Sequence, residues 1–321
     1  MNPPYAGRAF GSIMSILWYD ILAPFLILIL FQRVRSYKII HAAFPEQGIW
    51  FPLIKAKKIV TVHDLNPFID KGSSLIQILW NLYARLVYYI SIRFADHIIS
   101  VSSQTKRELK SILNVSNNRI TIVNPGVSGM YKMSPKKENH EPIIGFVGKL
   151  TERKRVTFLL ATLKALNFLD AKRKWKLFIH CSDGFNMKKF KSLSEVFMLQ
   201  ERIQFNTYVP EEKMSQIYKC FDILIFPSSH EGFGFPILEA QRCGIPVITM
   251  VGAKIPEETS CYTLKAQDPE DIARICIQLI QDQDLYEKTS KAGYFHASKF
   301  TWDKCAKRII ELYRRLLKNV P

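Results

Sequence analysis

Two glutamates stand close together in the stretch HEGFGFPILEAQRCGIPVIT, His230 to Thr249, and seven residues separate them. Glu231 lies directly before the first of two glycines, and Glu239 lies further along, after Pro236. A carboxylate accepts hydrogen bonds from both hydroxyl groups of a sugar diol, whereas it repels a phosphate group. The pair therefore indicates a ligand that presents hydroxyl groups at two separate places.

The segment between the two glutamates offers backbone N–H groups to an anion. Gly232, Phe233 and Gly234 come directly before a predicted helix, and a helix N-terminus carries partial positive charge that binds phosphate. A molecule with phosphate at its centre and polyols on both sides is a nucleotide sugar. The motif therefore predicts a nucleotide-sugar site, and it leaves the base and the sugar open.

The elements that position these residues are predicted from the same stretch. A buried strand is expected to end near Phe226, Pro236 suits the first turn of a helix, and Gly244 suits its end. Glu231 is then expected on the loop at the carboxyl edge of a parallel sheet, where doubly wound folds bind ligands. Glu239 is expected one turn inside the helix and facing the same crevice.

Short apolar runs alternate with longer helical patterns along the chain, which is typical of parallel βαβ units. One predicted helix, Leu75–Phe94, is apolar over its whole length. The polar stretch Met133–Pro142 is the natural linker. We expect an α/β fold with two doubly wound Rossmann-like domains facing a cleft: residues 1–137 on the acceptor side and residues 138–300 binding the nucleotide sugar. A closing helix at residues 301–321 is expected to pack back on the first domain.

The stretch SSHEGFGFPILEAQRCGIPVIT resembles the signature of the retaining family 4 glycosyltransferases of the GT-B fold (glycosyl transferases group 1), whose pattern is Glu, seven residues, Glu. Other segments resemble that family in the expected order: TVHDLNPF, ADHIISVSSQTKRELK, ITIVNPGV, FVGKLTERKRVTFLL and FTWDKCAKRIIELY. The likeness covers about Tyr37 to Leu317.

The resemblance implies a role for each matched residue. Glu231 would hold hydroxyls of the donor sugar and Glu239 the ribose hydroxyls. Lys149 and Lys154 would neutralise the diphosphate, and Gly232, Phe233 and Gly234 would offer it backbone amides. His63 would approach the donor sugar from the other domain and act with Glu231 in catalysis. A histidine at a strand end can also be a structural, hydrogen-bonded residue, and this alternative stays open.

Three features depart from the family pattern. Lys149 stands where the family usually has Arg, which keeps the charge but loses a bidentate donor. Arg155 stands where the family usually has Gly, so the local loop geometry is expected to differ. The amino-terminal domain is expected to be shortened, because no strand precedes the glycine-containing stretch Ala6–Ser12.

The activity implied by the resemblance is transfer of a sugar, a hexosyl group above all, from a UDP- or GDP-sugar to an acceptor hydroxyl, with retention of configuration. No metal and no other cofactor is expected. The acceptor would be a glycan or a lipid-linked molecule. Two alternatives are a nucleotide-sugar epimerase of similar fold and a non-catalytic remnant that only binds the donor.

Charge and cysteine content indicate the surroundings of the protein. The chain carries 45 Lys and Arg against 28 Asp and Glu, a net charge of +17, which attracts phosphate groups. No pattern typical of nucleic-acid binding accompanies it, so no nucleic-acid partner is expected.

Six cysteines without a disulfide or zinc pattern indicate a cytoplasmic protein. Together with the apolar segment Ile21–Phe31, too short for a span, the charge predicts peripheral contact with an anionic membrane.

Overall fold

The computed structural model describes residues 37–70, 75–133, 141–181 and 184–318. The described chain forms two compact units: unit 1 is drawn from Met1–Asn124 and Ala306–Pro321, and unit 2 is Pro125–Cys305. Both units are α/β with parallel sheets. The apolar segment Ile21–Phe31 and the stretch Ala6–Ser12 lie outside the described residues.

The division between the units falls after Asn124, upstream of the boundary at residues 137 and 138 that the polar linker predicts. The reason lies in the contacts of the residues that follow. The Val127 N–H donates to the carbonyl of Phe300 over 3.0 Å, and the Tyr131 ring meets the Tyr218 ring edge-on, with 5.6 Å between centroids. These contacts tie the chain after Asn124 to unit 2.

Unit 1 is built around a parallel sheet whose four described strands follow chain order. The strands are β1 Ile39–Ala42, β2 Lys57–Val62, β3 His97–Ser100 and β4 Ile120–Ile122. The connecting helices are α1 Asn66–Ile69, α2 Leu75–Phe94 and α3 Ser103–Leu113, so the bounds predicted for the apolar helix are confirmed. Ser102 caps α3, since its side chain accepts from the Thr105 N–H.

Unit 2 is built around a six-stranded parallel sheet of order β10-β9-β8-β5-β6-β7. The strands are β5 Ile143–Val147, β6 Lys176–His180, β7 Ile203–Asn206, β8 Ile223–Phe226, β9 Val247–Met250 and β10 Leu264–Ala266. The helices are α4 Thr157–Leu169, α5 Gly184–Val196, α6 Met214–Tyr218, α7 Phe235–Arg242, α8 Glu257–Ser260, α9 Pro269–Gln281 and α10 Gln283–Ala297.

The strand order of unit 2 reverses between β5 and β8. From β5 the chain winds outward through β6 and β7, and from β8 it winds outward through β9 and β10 on the other side. Doubly wound folds bind ligands at such a switch point, beyond the carboxyl ends of the two central strands. The loops after β5 and after β8 are therefore the expected position of a ligand site.

The core of unit 2 explains why its central strands read as uninterrupted apolar runs. Every residue of β8 and of β9 is buried, as expected for parallel strands that are covered on both faces. Gly145 in β5 leaves room for a neighbouring ring, because a Cβ at that position would lie 2.2 Å from the ring of Phe221. The central strand thus admits Phe221 only because residue 145 has no side chain.

The chain closes with α11, Trp302–Lys318, and its residues from Ala306 onward belong to unit 1. The Tyr313 hydroxyl lies 2.6 Å from Nδ1 of His41 in β1. Arg315 donates to the Thr121 hydroxyl of β4 over 3.1 Å. The helix is therefore bound to two strands of the unit 1 sheet.

Candidate functional site

Glu231 lies on the loop between β8 and α7, at the carboxyl edge of the unit 2 sheet, where the sequence predicts it. Its side chain is buried, and three groups contact the same oxygen, Oε1. Lys154 Nζ lies at 2.6 Å, Arg153 Nη1 at 2.9 Å, and the Ser228 hydroxyl donates over 2.6 Å. The described residues donate no hydrogen bond to Oε2. That oxygen can accept from a ligand hydroxyl.

The neighbours of Glu231 keep it ionised. Burial on its own would raise the pKa of the carboxyl, but the cations of Lys154 and Arg153 and the hydrogen bonds from Lys154 and Ser228 outweigh burial and lower the pKa. At neutral pH the group is therefore a carboxylate, which accepts hydrogen bonds and cannot donate one.

Lys154 is held in place from two sides. It ends a short 3-10 helix, Glu152–Lys154, and its ammonium group lies 4.3 Å from the centroid of the Phe226 ring at the end of β8. Burial lowers the pKa of the Lys154 amine, and the charge of Glu231 opposes that effect. The result is a lysine fixed at the switch point rather than a mobile surface cation.

Lys149 is exposed and follows Gly148, whose φ of +143° lies in the region that favours glycine. Because β5 and β8 are parallel neighbours, the loops that carry Lys149 and Glu231 leave the same edge of the sheet. No contact between the described residues joins Lys149 directly to Glu231 or Glu239. Its role as a phosphate contact stays a prediction.

Glu239 lies inside α7, as predicted, and is surrounded by two tyrosines. The Tyr218 hydroxyl donates to Oε2 over 2.5 Å, and the Tyr131 hydroxyl is also hydrogen-bonded to the carboxyl. Burial raises the pKa of Glu239, and the charge of Glu211 adds to it, whereas the two phenols act in the opposite direction without cancelling it. Glu239 thus forms a cluster of its own, with no direct contact to the Glu231 group among the described residues.

The loop before α7 carries the predicted backbone donors Gly232, Phe233 and Gly234, whose role in binding an anion stays a prediction. Gly234 precedes the helix with a φ of +94°, and the helix N-terminus follows it. The buried Phe233 fixes the loop, since its ring packs edge-on against Phe235 and Phe300 and its carbonyl accepts from Thr259 over 2.8 Å. Gly232 is partly exposed beside Glu231. The predicted donor-binding segment is therefore anchored at its centre by Phe233.

His63 follows β2 in unit 1, whereas the other predicted site residues lie in unit 2. Its Nε2 lies 3.0 Å from the carbonyl oxygen of Ala43, and its ring stacks on Phe44 with 4.8 Å between centroids. The carbonyl of His63 accepts from the Thr105 hydroxyl over 3.3 Å. These contacts fit the structural alternative for this histidine, and its approach to a donor sugar stays a prediction.

Arg153 is a site residue that the sequence analysis missed. Besides Glu231, its guanidinium contacts the carbonyl of His230. Its own carbonyl accepts from the backbone N–H of Ser229 over 2.9 Å and from the Ser229 hydroxyl over 3.0 Å. Arg153 therefore joins the loop after β5 to the loop after β8. The only local signal is its position within the basic stretch KLTERKR.

Arg155 keeps a backbone conformation that glycine adopts without strain, and the expected change of loop geometry stays a prediction. Its φ of +45° and ψ of 44° lie in the left-handed region, which is disfavoured for a residue with a Cβ.

Tyr131 and Tyr218 are further residues that sequence reasoning missed, because nothing in their local sequence pairs them with Glu239. In the described ranges, no group of three or more His, Cys, Asp or Glu side chains is placed to hold a metal ion.

Sequence profiles of two families match the chain. The profile described as Glycosyl transferases group 1 matches residues 131–296, and that of Glycosyltransferase Family 4 matches residues 4–128. The first match spans more than half of the chain and contains Glu231, Glu239, Lys149 and Lys154.

Curated relatives are similar to part of the chain. O-antigen chain mannosyltransferase B of Escherichia coli is 26% identical over 239 residues, which cover 70% of this chain and 62% of that protein. D-inositol 3-phosphate glycosyltransferase of Corynebacterium urealyticum is 30% identical over 220 residues, which cover 62% of this chain and 51% of that protein. The chain thus spans between about half and about three fifths of the length of these relatives.

Solved structures share the fold. Sucrose-phosphate synthase from Thermosynechococcus elongatus superposes with a TM-score of 0.78 at 18% identity, covering 100% of this chain and 83% of the other. HepE of Anabaena, solved with UDP and glucose, gives a TM-score of 0.73 at 19% identity, covering 99% and 85%. The predicted GT-B fold class is confirmed by these likenesses.

Proposed function

The chain belongs to the glycosyl transferases group 1 family, and on this premise we propose that it transfers a sugar from a nucleotide-sugar donor to an acceptor hydroxyl. The observation that carries the proposal is the group formed by Glu231, Lys154 and Arg153 at the switch point of unit 2. An ionised carboxylate with one oxygen open to a hydroxyl stands there beside a buried cation. A nucleotide-sugar donor needs both groups close together, because the carboxylate accepts from the sugar hydroxyls and the cation neutralises the phosphate.

In the proposed donor complex, Oε2 of Glu231 accepts from hydroxyls of the sugar. Lys154, Lys149 and the N-terminus of α7 face the diphosphate. Glu239 accepts from the ribose hydroxyls, for which it has lone pairs besides those used by the two tyrosines. HepE, whose fold this chain shares, was solved with UDP and glucose, which supports a UDP-sugar as the first donor to test, with a GDP-sugar as the second.

The proposed reaction is transfer of a hexosyl group with retention and without a metal. The bond from the anomeric carbon to the diphosphate breaks, and the acceptor oxygen bonds to the same face of that carbon. The acceptor proton passes to the departing phosphate oxygen. Cations and helix amides that stabilise the departing charge lower the barrier without supplying a nucleophile. His63 is proposed to contact the donor sugar, and the acceptor is a glycan or a lipid-linked molecule in the cytoplasm.

Donor binding is tested by thermal unfolding with UDP- and GDP-sugars, because a ligand stabilises the folded state by about 2.7 kcal/mol at about 100 times its Kd. Lys154→Met should abolish most of the shift, since it removes the fixed cation. Lys164→Met is the matched control, because Lys164 is an exposed lysine of α4. An equal shift in wild type and Lys154→Met would contradict the site.

Catalysis is tested with a panel of acceptors, at saturating donor for kcat and with the donor concentration varied for its KM. Glu239→Ala should raise the KM for the donor, whereas Glu231→Ala should also lower kcat, because in the proposed complex Glu231 is the one of the two glutamates that contacts the reacting sugar. Full activity in both variants would remove the assignment. Epimerised donor formed without acceptor would favour the epimerase alternative. Donor binding without transfer to any acceptor would favour a binding remnant.

A further inference from the structure

Helix α2 is fixed to unit 1 along one face. Asn81 donates to the carbonyl of Asp70 over 2.9 Å, and Arg85 donates to the carbonyl of Pro67 over 2.7 Å. The Ser91 hydroxyl contacts the carbonyl of Pro45. Further along the same face, Tyr88 is buried in the unit 1 core. The helix therefore lies on the surface of the unit with its orientation set.

The opposite face of α2 is apolar and exposed. Large side chains recur there at helical spacing and are between 53% and 74% exposed: Leu75, Ile76, Leu79, Leu82, Leu86 and Tyr89. We call these six residues the α2 stripe. A helix at the surface of a soluble protein normally turns polar residues to water. The helix contains no Asp or Glu at all.

Unit 1 carries most of the net positive charge of the chain. The residues assigned to it include 19 Lys and Arg against 7 Asp and Glu, a net charge of +12 out of the chain's +17. Exposed Arg93 lies at the end of α2. Arg119 donates to the carbonyls of Ile92 and Ala95 there, over 2.8 and 2.6 Å. The nearby carboxylate, Asp96, is shared by Lys57 and Lys58.

By its length and composition, α2 could also cross a membrane, and it is the one candidate span among the described residues. Its fixed face argues against a span, because Asn81, Arg85 and Ser91 would have to give up their partners. An apolar face opposite a docked face, within a basic unit, is instead typical of a helix that lies in the plane of a membrane interface.

We propose that the α2 stripe docks unit 1 on the surface of an anionic phospholipid bilayer. The leucines enter the boundary between headgroups and acyl chains, and the basic residues of unit 1 face the anionic headgroups. The charge favours lipid over a second copy of the chain, since two units of +12 repel each other. The proposal does not depend on glycosyl transfer, but it would bring unit 1 to the place where a lipid-linked acceptor lies.

The test is flotation of the full chain with vesicles of phosphatidylglycerol and phosphatidylcholine in equal parts, and with vesicles of phosphatidylcholine alone. We expect binding to the anionic vesicles and weaker binding at high salt. The double variant Leu79→Glu with Leu86→Glu should lower the partition coefficient into the anionic vesicles on the order of 100-fold. Each substitution removes the favourable transfer of one leucine side chain into the bilayer, which is a factor of roughly ten or more in the partition coefficient. Phe168→Glu is the matched control, since Phe168 is 84% exposed on unit 2.

Two further measurements keep the outcome unambiguous. The double variant should unfold at the same temperature as wild type and should keep its thermal shift with the donor, since both leucines are exposed and lie outside the proposed donor site. Equal flotation of the double variant and wild type would overturn the proposal. So would a wild-type chain that fails to float, or a wild-type dimer that the double variant converts to a monomer, because another occupant would then cover the stripe.

Discussion

Replacing Glu231 by Gln tests the electrostatic account of the site. Glutamine keeps the size of the side chain and can still accept from the Ser228 hydroxyl, but it removes the negative charge. Lys154 and Arg153 are then left facing a neutral amide in a buried position. The Glu231 side chain is only 11% exposed and that of Lys154 only 9%, so water does not replace the lost partner.

Removing one partner of a buried ion pair costs about 3–5 kcal/mol, because the other charge stays buried and uncompensated. We take about 3 kcal/mol at neutral pH, since Arg153 is less buried than Lys154. That corresponds to a fall in the unfolding temperature on the order of 10 °C. Scanning calorimetry of wild type and Glu231→Gln measures it.

The cost of Glu231→Gln should depend on pH in a defined direction. The pKa of Glu231 is lowered in the folded protein, so its contribution to the free energy of unfolding is complete above the unfolded pKa, about 4.3. It is lost as pH falls through the folded pKa. The difference between wild type and variant should therefore be full at neutral pH and shrink below about pH 4.

Glu270→Gln is the matched control. Glu270 pairs with Arg274 at 2.6 Å, but its side chain is 57% exposed. Exposed pairs contribute about 0–1 kcal/mol, so the unfolding temperature should barely move. If Glu231→Gln behaved like this control, or if its effect were the same at every pH, Glu231 would not be the ionised member of a buried ion pair.

Three further predictions concern the backbone and the second glutamate. Arg155→Gly should raise the free energy of unfolding by about 0.5–1 kcal/mol in a denaturant titration, because glycine adopts the left-handed conformation without strain; a loss of stability would contradict it. Gly145→Ala should destabilise by about 1–3 kcal/mol or more, since its Cβ would meet the Phe221 ring, whereas Gly129→Ala, with nothing within 4 Å of the added Cβ, should be near neutral. Tyr218→Phe removes a donor from Glu239 and should raise the pKa of that carboxyl further above its usual range. When the pKa of a carboxyl is raised by folding, its contribution to the free energy of unfolding is complete at low pH and is lost as pH rises. Tyr218→Phe should therefore lose more stability at neutral than at acid pH, and it should raise the KM for the donor severalfold. Equal loss of stability at both pH values would count against this prediction.

Much of the fold could be predicted from local sequence because its determinants are short-range. The apolar run that ends at Phe226, Pro236 at the first turn of α7, and Gly244 with a φ of +78° each act within a few residues. They place Glu231 on a loop and Glu239 in a helix without further information. The apolar character of Leu75–Phe94 likewise predicts a helix with the bounds that the structure gives.

The detailed contacts of the site could not be predicted, because they join residues far apart in the chain. Arg153 reaches Glu231 only because β5 and β8 become neighbours across a crossover that the sequence does not spell out. Tyr131 and Glu239 meet only because the segment after Asn124 packs on unit 2. The exposed face of α2 could not be predicted either. The sequence of an apolar helix shows that it can be buried, but only the packing decides which of its sides is buried. Sequence determined the elements and the residue types at their ends. Tertiary structure decided which charges share an oxygen and which face of α2 is left exposed, because the first depends on the pairing of distant parallel strands and the second on the packing of the helix against unit 1.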